Sequence, residues 1–347
     1  MKPLLISFTL FILSTSVAAD QNSYTSQNSN LQVNFNFDDS SLDSEIIYPD
    51  WVSISLGNLS DDLKHAIDKG KIGIIVYYGQ KRCAYCQKFF ETVQNSEDIE
   101  RYLTSHYDII PVDIWGVDEI IDTNGKIYSE HELSLHYKTS FTPSLVFYDS
   151  EGTAVFRLRG YHPAYNLMAA LKYAVEGFYK KESFRDYLER AVPGIFFKDG
   201  DMNERDFFSL ETYDLKGLLA KSEKPLAVFF EQGNCHACDV LHTGPLNENK
   251  ALDEIQKMNS VQLNMWSDTI IITPQGKKTT ARKWAADLGL FYAPTIIFFD
   301  NTGKEIIRLD SIVKFYRLLG VLNYINTRGY IKEPNYQVWR LKQRKTG

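Results

Sequence analysis

The apolar stretch Ile74-Ile75-Val76-Tyr77-Tyr78, followed closely by Cys83-Ala84-Tyr85-Cys86, decides how this chain is read. A short run of β-branched and aromatic residues reads as a buried strand, and the cysteine pair then opens a helix. The chain repeats the arrangement. At an offset of 152, Leu226 to Phe230 falls on Ile74 to Tyr78, Cys235/Cys238 on Cys83/Cys86, and Asp214-Leu215-Lys216 on Asp62-Leu63-Lys64. At an offset of 151, Trp266 falls on Trp115, Ile271-Ile272 on Ile120-Ile121, Gly276-Lys277 on Gly125-Lys126, Pro294 on Pro143, and Asp300 and Gly303 on Asp149 and Gly152. One residue is missing from the second copy between Cys238 and Trp266, and a self-match with a single register change marks a duplicated domain.

Each copy has the same predicted layout. A short helix (63–68; 215–220) precedes the strand before the cysteines (72–78; 225–230), and a second strand ends near the Trp (109–115; 261–266). A third strand (144–148; 295–299) follows the Pro. A Gly-containing turn leads to a fourth (153–157; 304–308), which is a hairpin signal, and a helix closes the copy (164–175; 313–325). This order suits a mixed sheet flanked by helices. The amphipathic stretch Phe184 to Val192 reads as a helix packed on the first copy. The tail from Gln337 to Gly347 reads as another packed helix, whose basic residues Arg340, Lys342, Arg344 and Lys345 form its solvated face.

Domain boundaries follow from this layout. Residues 1–19 have the form of a secretory leader: Lys2, an apolar run from Leu4, and Val17-Ala18-Ala19 before Asp20. That run is shorter than the 18 or so residues of a spanning helix, so cleavage is expected after Ala19, with no stable membrane insertion afterwards. Residues 20–44, rich in Asn, Ser, Gln and Asp, read as a flexible lead-in. The first domain is placed at 45–190, a connector at 191–209 and the second domain at 210–347.

A length of 347 residues suits two domains. Lys and Arg number 38 against 44 Asp and Glu, a mild acidic balance that offers no footprint for nucleic acid. The chain has only four cysteines, all in the two pairs. In an oxidising exported compartment, so few argue against a scaffold of structural disulfides and for redox chemistry.

A thiolate attacks a disulfide, and a free thiol with a pKa near 8.5 needs help to ionise at neutral pH. A first cysteine at a helix start finds unpaired N–H groups and the positive end of the helix dipole. A spacing of three puts the second cysteine one turn deeper on the same face, where it can resolve the mixed disulfide. Cys83 and Cys235 are therefore the expected nucleophiles, and Cys86 and Cys238 the resolving thiols. A shared zinc site would need four ligands from pairs lying far apart in separate copies, and a covalent haem would need His where Gln87 and Asp239 stand. No metal and no cofactor is expected.

Thr142-Pro143 and Ala293-Pro294 each stand just before the third strand. A cis bond there would turn the chain beside the cysteines and leave the preceding backbone free to pair with an extended substrate. Thr142, Pro143, Ala293 and Pro294, with Tyr85 and His236 between the cysteines, are the candidate substrate-binding residues. A protonated His236 would stabilise a neighbouring thiolate, whereas an exposed helix-start His is the plainer reading. Tyr85, Tyr78, Phe230 and the paired Trp115 and Trp266 read as the lining of an apolar groove around each sulfur where a partner polypeptide docks; alternatively, the Trp residues cap strand ends and pack against the insertion.

Cys83-Ala84-Tyr85-Cys86, Thr142-Pro143 and the Asp149 to Gly152 turn resemble the thioredoxin superfamily. They are most similar to the periplasmic thioredoxins of bacterial sulfur oxidation, the SoxW-like group, whose Gly-containing insertion reads here from Asp113-Ile114-Trp115-Gly116 to Asn124-Gly125-Lys126. The resemblance covers about Gly70 to Leu188 and, more weakly, about Pro225 to Leu341. It implies an α/β fold of two tandem thioredoxin-like domains, each a mixed central sheet flanked by helices, with cis Pro143 and Pro294. It also implies a periplasmic reductase or isomerase acting on disulfides of exported proteins and recharged by a membrane thiol–disulfide electron donor. Thioredoxin carries a buried acid six residues before its first Cys, where this chain has Tyr77 and Phe229, so a water or another group must take the resolving proton. A rival reading keeps redox activity in the first domain alone and makes the second a client-binding scaffold.

Overall fold

A computed structural model describes residues 37–346 except 140, 193, 195–199 and 210–212. The expected leader lies outside the described residues, as does the lead-in up to residue 36.

The first repeat runs α1 (Leu59–Asp68), β1 (Gly73–Gly79), α2 (Ala84–Gln94), α3 (Glu97–His106), β2 (Tyr107–Asp113), β3 (Glu119–Ile121), β4 (Ile127–Ser129), α4 (Glu130–His136), β5 (Ser144–Tyr148), β6 (Ala154–Arg159) and α5 (Ala164–Val175), with α6 (Phe184–Ala191) after it. Asn58 starts α1 by accepting hydrogen bonds from the Ser60 and Asp61 amides. Strand β1 is buried at every position because it is central, parallel to β2 and antiparallel to β5 in a sheet of order β2-β1-β5-β6. Its residues alternate between two layers. Ile74, Val76 and Tyr78 pack with Leu59 and Leu63 of α1, while Tyr77 meets Phe89 and Phe90 of α2 at ring distances of 5.6 and 5.0 Å.

The insertion after β2 is a hairpin followed by a helix. β3 and β4 pair antiparallel around a turn in which Gly125 has a φ of +81°, and a capping box between Ser129 and Glu132 starts α4.

The second repeat runs α7 (Leu215–Ala220), β7 (Leu226–Glu231), α8 (His236–Thr243), α9 (Asn249–Ile255), β8 (Asn259–Asn264), β9 (Ile270–Ile272), β10 (Lys278–Thr280), α10 (Ala281–Asp287), β11 (Thr295–Phe299), β12 (Glu305–Leu309) and α11 (Phe315–Asn326). Its sheet, β12-β11-β7-β8, has the same topology. Helix α8 is shorter than α2 because Gly244-Pro245 follows it. Two tail helices, α12 (Gly329–Lys332) and α13 (Tyr336–Thr346), complete the described chain. Among the described residues no helix is long and apolar enough to cross a membrane.

Of three further segments, two are packed more tightly than their sequence suggests. The tail helix packs as expected: Tyr336 is buried, and both it and Trp339 lie against Tyr324 of α11, with ring centroids 5.4 and 5.1 Å apart, while the side chains of Arg344 and Lys345 lie outside the described residues. Helix α6 packs on the first repeat through Phe184, yet its Arg185 is buried in the second repeat. Residues 37–44, read as flexible lead-in, include the buried Asp39, which accepts the Tyr316 and Arg317 amides at 2.8 Å and so caps the start of α11. Phe141 of the first repeat belongs to the apolar cluster of the second, with Phe229, Leu241, Leu318 and Tyr336.

Candidate redox sites

Each cysteine pair stands where a strand hands over to a helix. Cys83 is the N-cap of α2 and Cys235 of α8, and each Sγ accepts the amide N–H of the cysteine three residues on, at 3.1 Å. Both pairs are at bonding distance, with sulfurs 2.19 Å apart in the first and 2.10 Å apart in the second. The first cysteines, Cys83 and Cys235, are 8% and 6% exposed, whereas Cys86 and Cys238 are 0% exposed. The amide aimed at the outer sulfur would stabilise a thiolate there, as would the helix terminus.

The proline turns lie against the outer sulfurs. Thr142-Pro143 and Ala293-Pro294 are both cis. Thr142 Oγ1 is 3.3 Å from Cys83 Sγ and accepts from Gln80 Nε2 at 2.7 Å, while Gln80 Oε1 accepts from Trp115 Nε1 at 3.0 Å. With Gln80 donating to it, the Thr142 hydroxyl has its proton left for the sulfur. The second site keeps the Trp266 to Gln232 bond at 2.7 Å, but Ala293 has no hydroxyl and its carbonyl oxygen lies 3.7 Å from Cys235 Sγ. The paired Trp residues therefore hold the loop before each cysteine pair through a Gln.

A model of the thioredoxin-like domain matches the chain twice, over residues 59–175 and 214–326. The chain belongs to the thioredoxin-like family. Its two thioredoxin-like repeats are similar to single domains of known structure. A thioredoxin-fold protein from Helicobacter pylori shares 24% identity over 42% of this chain and 89% of that one, with a TM-score of 0.34. A thioredoxin from Thermus thermophilus shares 23% over 33% and 82%, with a TM-score of 0.27. The oxidised C-terminal domain of DsbD from Neisseria meningitidis shares 17% over 32% and 89%, with a TM-score of 0.26. No curated protein matches the chain.

Each thioredoxin-like repeat covers the other's redox site. Arg317 of α11 donates from Nη2 to the Thr142 carbonyl at 2.8 Å and lies 3.4 Å over the Tyr85 ring. Burial pulls its pKa below the usual arginine value. Tyr85 donates to Asp39 Oδ2 at 2.9 Å and accepts the Lys314 amide at 2.8 Å. On the other side, Arg185 donates to the Leu290 and Met265 carbonyls and stacks 3.9 Å over Trp266.

Two expectations change as a result. The Thr142 backbone is not left free for a substrate, because its carbonyl is bonded by Arg317. Tyr85 does not line an open groove but is 4% exposed, held between Asp39, Lys314 and Arg317. Pro294 is buried, and His236 is exposed as the first residue of α8. Lys81 and Arg82 lie on the loop crossed by the lead-in, where Leu42 N donates to the Arg82 carbonyl at 3.4 Å.

Gln80, Gln232, Asp39, Arg185 and Arg317 escape the sequence reading. Gln80 and Gln232 do repeat at the offset of 152, a signal that self-comparison could have used. The other three act across the repeats, where motif spacing carries no information.

Proposed function

We propose that this chain is a periplasmic thiol–disulfide oxidoreductase that reduces or isomerises disulfides of exported proteins through both Cys pairs. Cys83 and Cys235 act as nucleophiles, Cys86 and Cys238 resolve, and a membrane thiol–disulfide donor recharges the oxidised pairs. The observation that carries this reading is the same in both repeats. An outer sulfur caps a helix, accepts the amide of a fully buried partner cysteine, and lies against a cis-proline turn. That arrangement favours ionisation of the outer thiol and keeps the second within one turn of the mixed disulfide. Membership of the thioredoxin-like family supports it. The SoxW-like resemblance supports reduction as the direction and the periplasm as the compartment.

Trapping tests the reading. Cys86→Ser and Cys238→Ser chains, produced in cells, should each accumulate mixed disulfides with exported proteins, through Cys83 and Cys235 respectively. Absence of any such adduct from both would overturn thiol exchange. Adducts at Cys83 alone would assign turnover to the first repeat and binding to the second.

A further inference from the structure

The second repeat contains a buried acid–base pair that the first lacks. Glu231 is the last residue of β7, two positions beyond Phe229 and so on the same face of the strand, the face covered by α8. It is 0% exposed, and its Oε1 lies 2.8 Å from Nε2 of His242, itself 2% exposed. Glu231 Oε2 accepts from Gln262 Nε2 at 2.8 Å. Two donors on its two oxygens suit a carboxylate, which places the imidazole proton on Nε2 and the lone pair on Nδ1. His242 Nδ1 is buried with no hydrogen-bond partner among the described residues.

His242 follows Cys238 by four residues in α8, so the two share a helix face one turn apart. At the offset of 152 the first repeat has Gly79 and Phe90 in place of Glu231 and His242, and neither can carry a proton. The other charged groups brought to the pair are Arg205, which donates to the His242 and Leu246 carbonyls, and Asp239, which is held by Asn203 on the exposed side of α8. Phe208 closes the remaining side with its ring 5.9 Å from the imidazole.

We propose that His242, positioned by Glu231, takes the proton of Cys238 when that thiol resolves a mixed disulfide on Cys235. This rests on the thiol-exchange reading above. The Cys238 S–H bond breaks and its proton goes to Nδ1. A sulfur–sulfur bond forms between Cys238 and Cys235, the bond from Cys235 to the partner breaks, and the partner leaves as a thiolate. The imidazolium, stabilised by the Glu231 carboxylate, then returns the proton to that thiolate. The dithiol is oxidised by two electrons and the partner disulfide is reduced by the same two. The pair thus does the work of the missing acid at Phe229, from a different position and in one repeat only.

The test uses the full chain with Cys83→Ser and Cys86→Ser, reduced and mixed with an aromatic disulfide whose thiolate is coloured. The first release of colour reports attack by Cys235 and the second reports resolution by Cys238. His242→Phe should slow the second release at neutral pH by about a hundredfold. The rate should then climb with pH as an unassisted thiol ionises, toward about pH 8.5. Glu231→Gln should give an intermediate profile. An unchanged rate and pH profile of the second release in both variants would overturn the proposal while leaving thiol exchange intact, whereas loss of the first release from the parent chain would remove both. If the variants fail to fold, the unaltered pairs decide. The Cys83/Cys86 pair, isolated by Cys235→Ser and Cys238→Ser, should resolve with the steep pH dependence of an unassisted thiol, and identical profiles for the two pairs would refute the assignment.

Discussion

Arg159 and Asp310, 151 positions apart, pair at 2.5 Å. Each is the counterpart of the other in the duplicated sequence. The neighbouring contacts follow the same rule: Gly160 faces Ser311, and Ile312 N donates to the Tyr161 carbonyl at 3.0 Å. Contacts between equivalent residues are the mark of an isologous interface, here formed within one chain. Arg317 and Asn166 are also counterparts, each at the start of a helix that faces the other repeat's proline turn. The two helices are thus symmetrically placed, although Arg317 and Arg185, which cover the two redox sites, are not counterparts.

A charge exchange tests that symmetry. Arg159→Asp alone and Asp310→Arg alone each leave a partly buried charge facing its like, and each should cost about 2 kcal/mol in thermal or urea melts. The double exchange should recover most of that loss, because a pair astride a pseudo-twofold axis can be reversed without moving either backbone. Additive losses in the double variant would show that the two side chains are held by other neighbours.

The repeat was legible because it is written in residue types that both copies share: the Cys pairs, the prolines, the glycine turns and the apolar strands. Helices Ala164–Val175 and Leu215–Ala220 and strands Ser144–Tyr148 and Thr295–Phe299 have the expected bounds. The other strands differ by one or two residues, since pairing rather than propensity sets where a strand ends. Self-comparison is blind to what the copies do not share. Glu231 and His242 stand opposite Gly79 and Phe90, and Arg317 opposite Asn166, so the match itself discards them. The interface is equally hidden, although Arg159 opposite Asp310 is a complementary pair at one aligned position. The packing of Asp39 was missed because composition describes a segment's average, and one buried carboxylate capping a helix is enough to fix it.

Arg317 holds the Thr142 carbonyl and covers Tyr85, and access to Cys83 therefore depends on it. Arg317→Ala should cost about 2 kcal/mol of stability through the lost stacking and hydrogen bond. It should also raise the alkylation rate of reduced Cys83 by about tenfold, the equivalent of weakening local closure by about 1.4 kcal/mol. Mass spectrometry of timed alkylation can follow Cys83 and Cys235 in one sample. Equal acceleration at Cys83 and Cys235 would point to general loosening rather than to this contact.

The hydroxyl of Thr142 distinguishes the two sites. A hydrogen bond to a thiolate favours ionisation. Thr142→Val should therefore raise the pKa of reduced Cys83 by about one unit, the equivalent of about 1.4 kcal/mol. Ala293→Thr should move Cys235 the other way. Alkylation rate against pH reads both shifts, and a Cys83 curve that stays in place in Thr142→Val would mean that the hydroxyl serves Gln80 alone.

His162 gives the interface a pH dependence of known sign. Its ring is 4% exposed between Phe291 and Tyr292 of the second repeat, and burial pushes its pKa down from 6.5 to about 4. In the unfolded chain it protonates near its ordinary value, so as pH falls below about 6.5 the unfolded state gains a proton that the folded state refuses. The contribution of the neutral, buried ring is fully present above that pH, declines as pH falls, and is lost by about pH 4, for a total of about 3 kcal/mol. Replacing it with the residue at the equivalent position of the second repeat, His162→Val, removes this proton. Urea melts of both chains at pH 7 and pH 5 isolate the effect, because every other titrating group is common to the two. The stability of the parent relative to the variant should fall by about 2 kcal/mol between those pH values. A constant difference would mean that His162 titrates alike in the folded and unfolded chains.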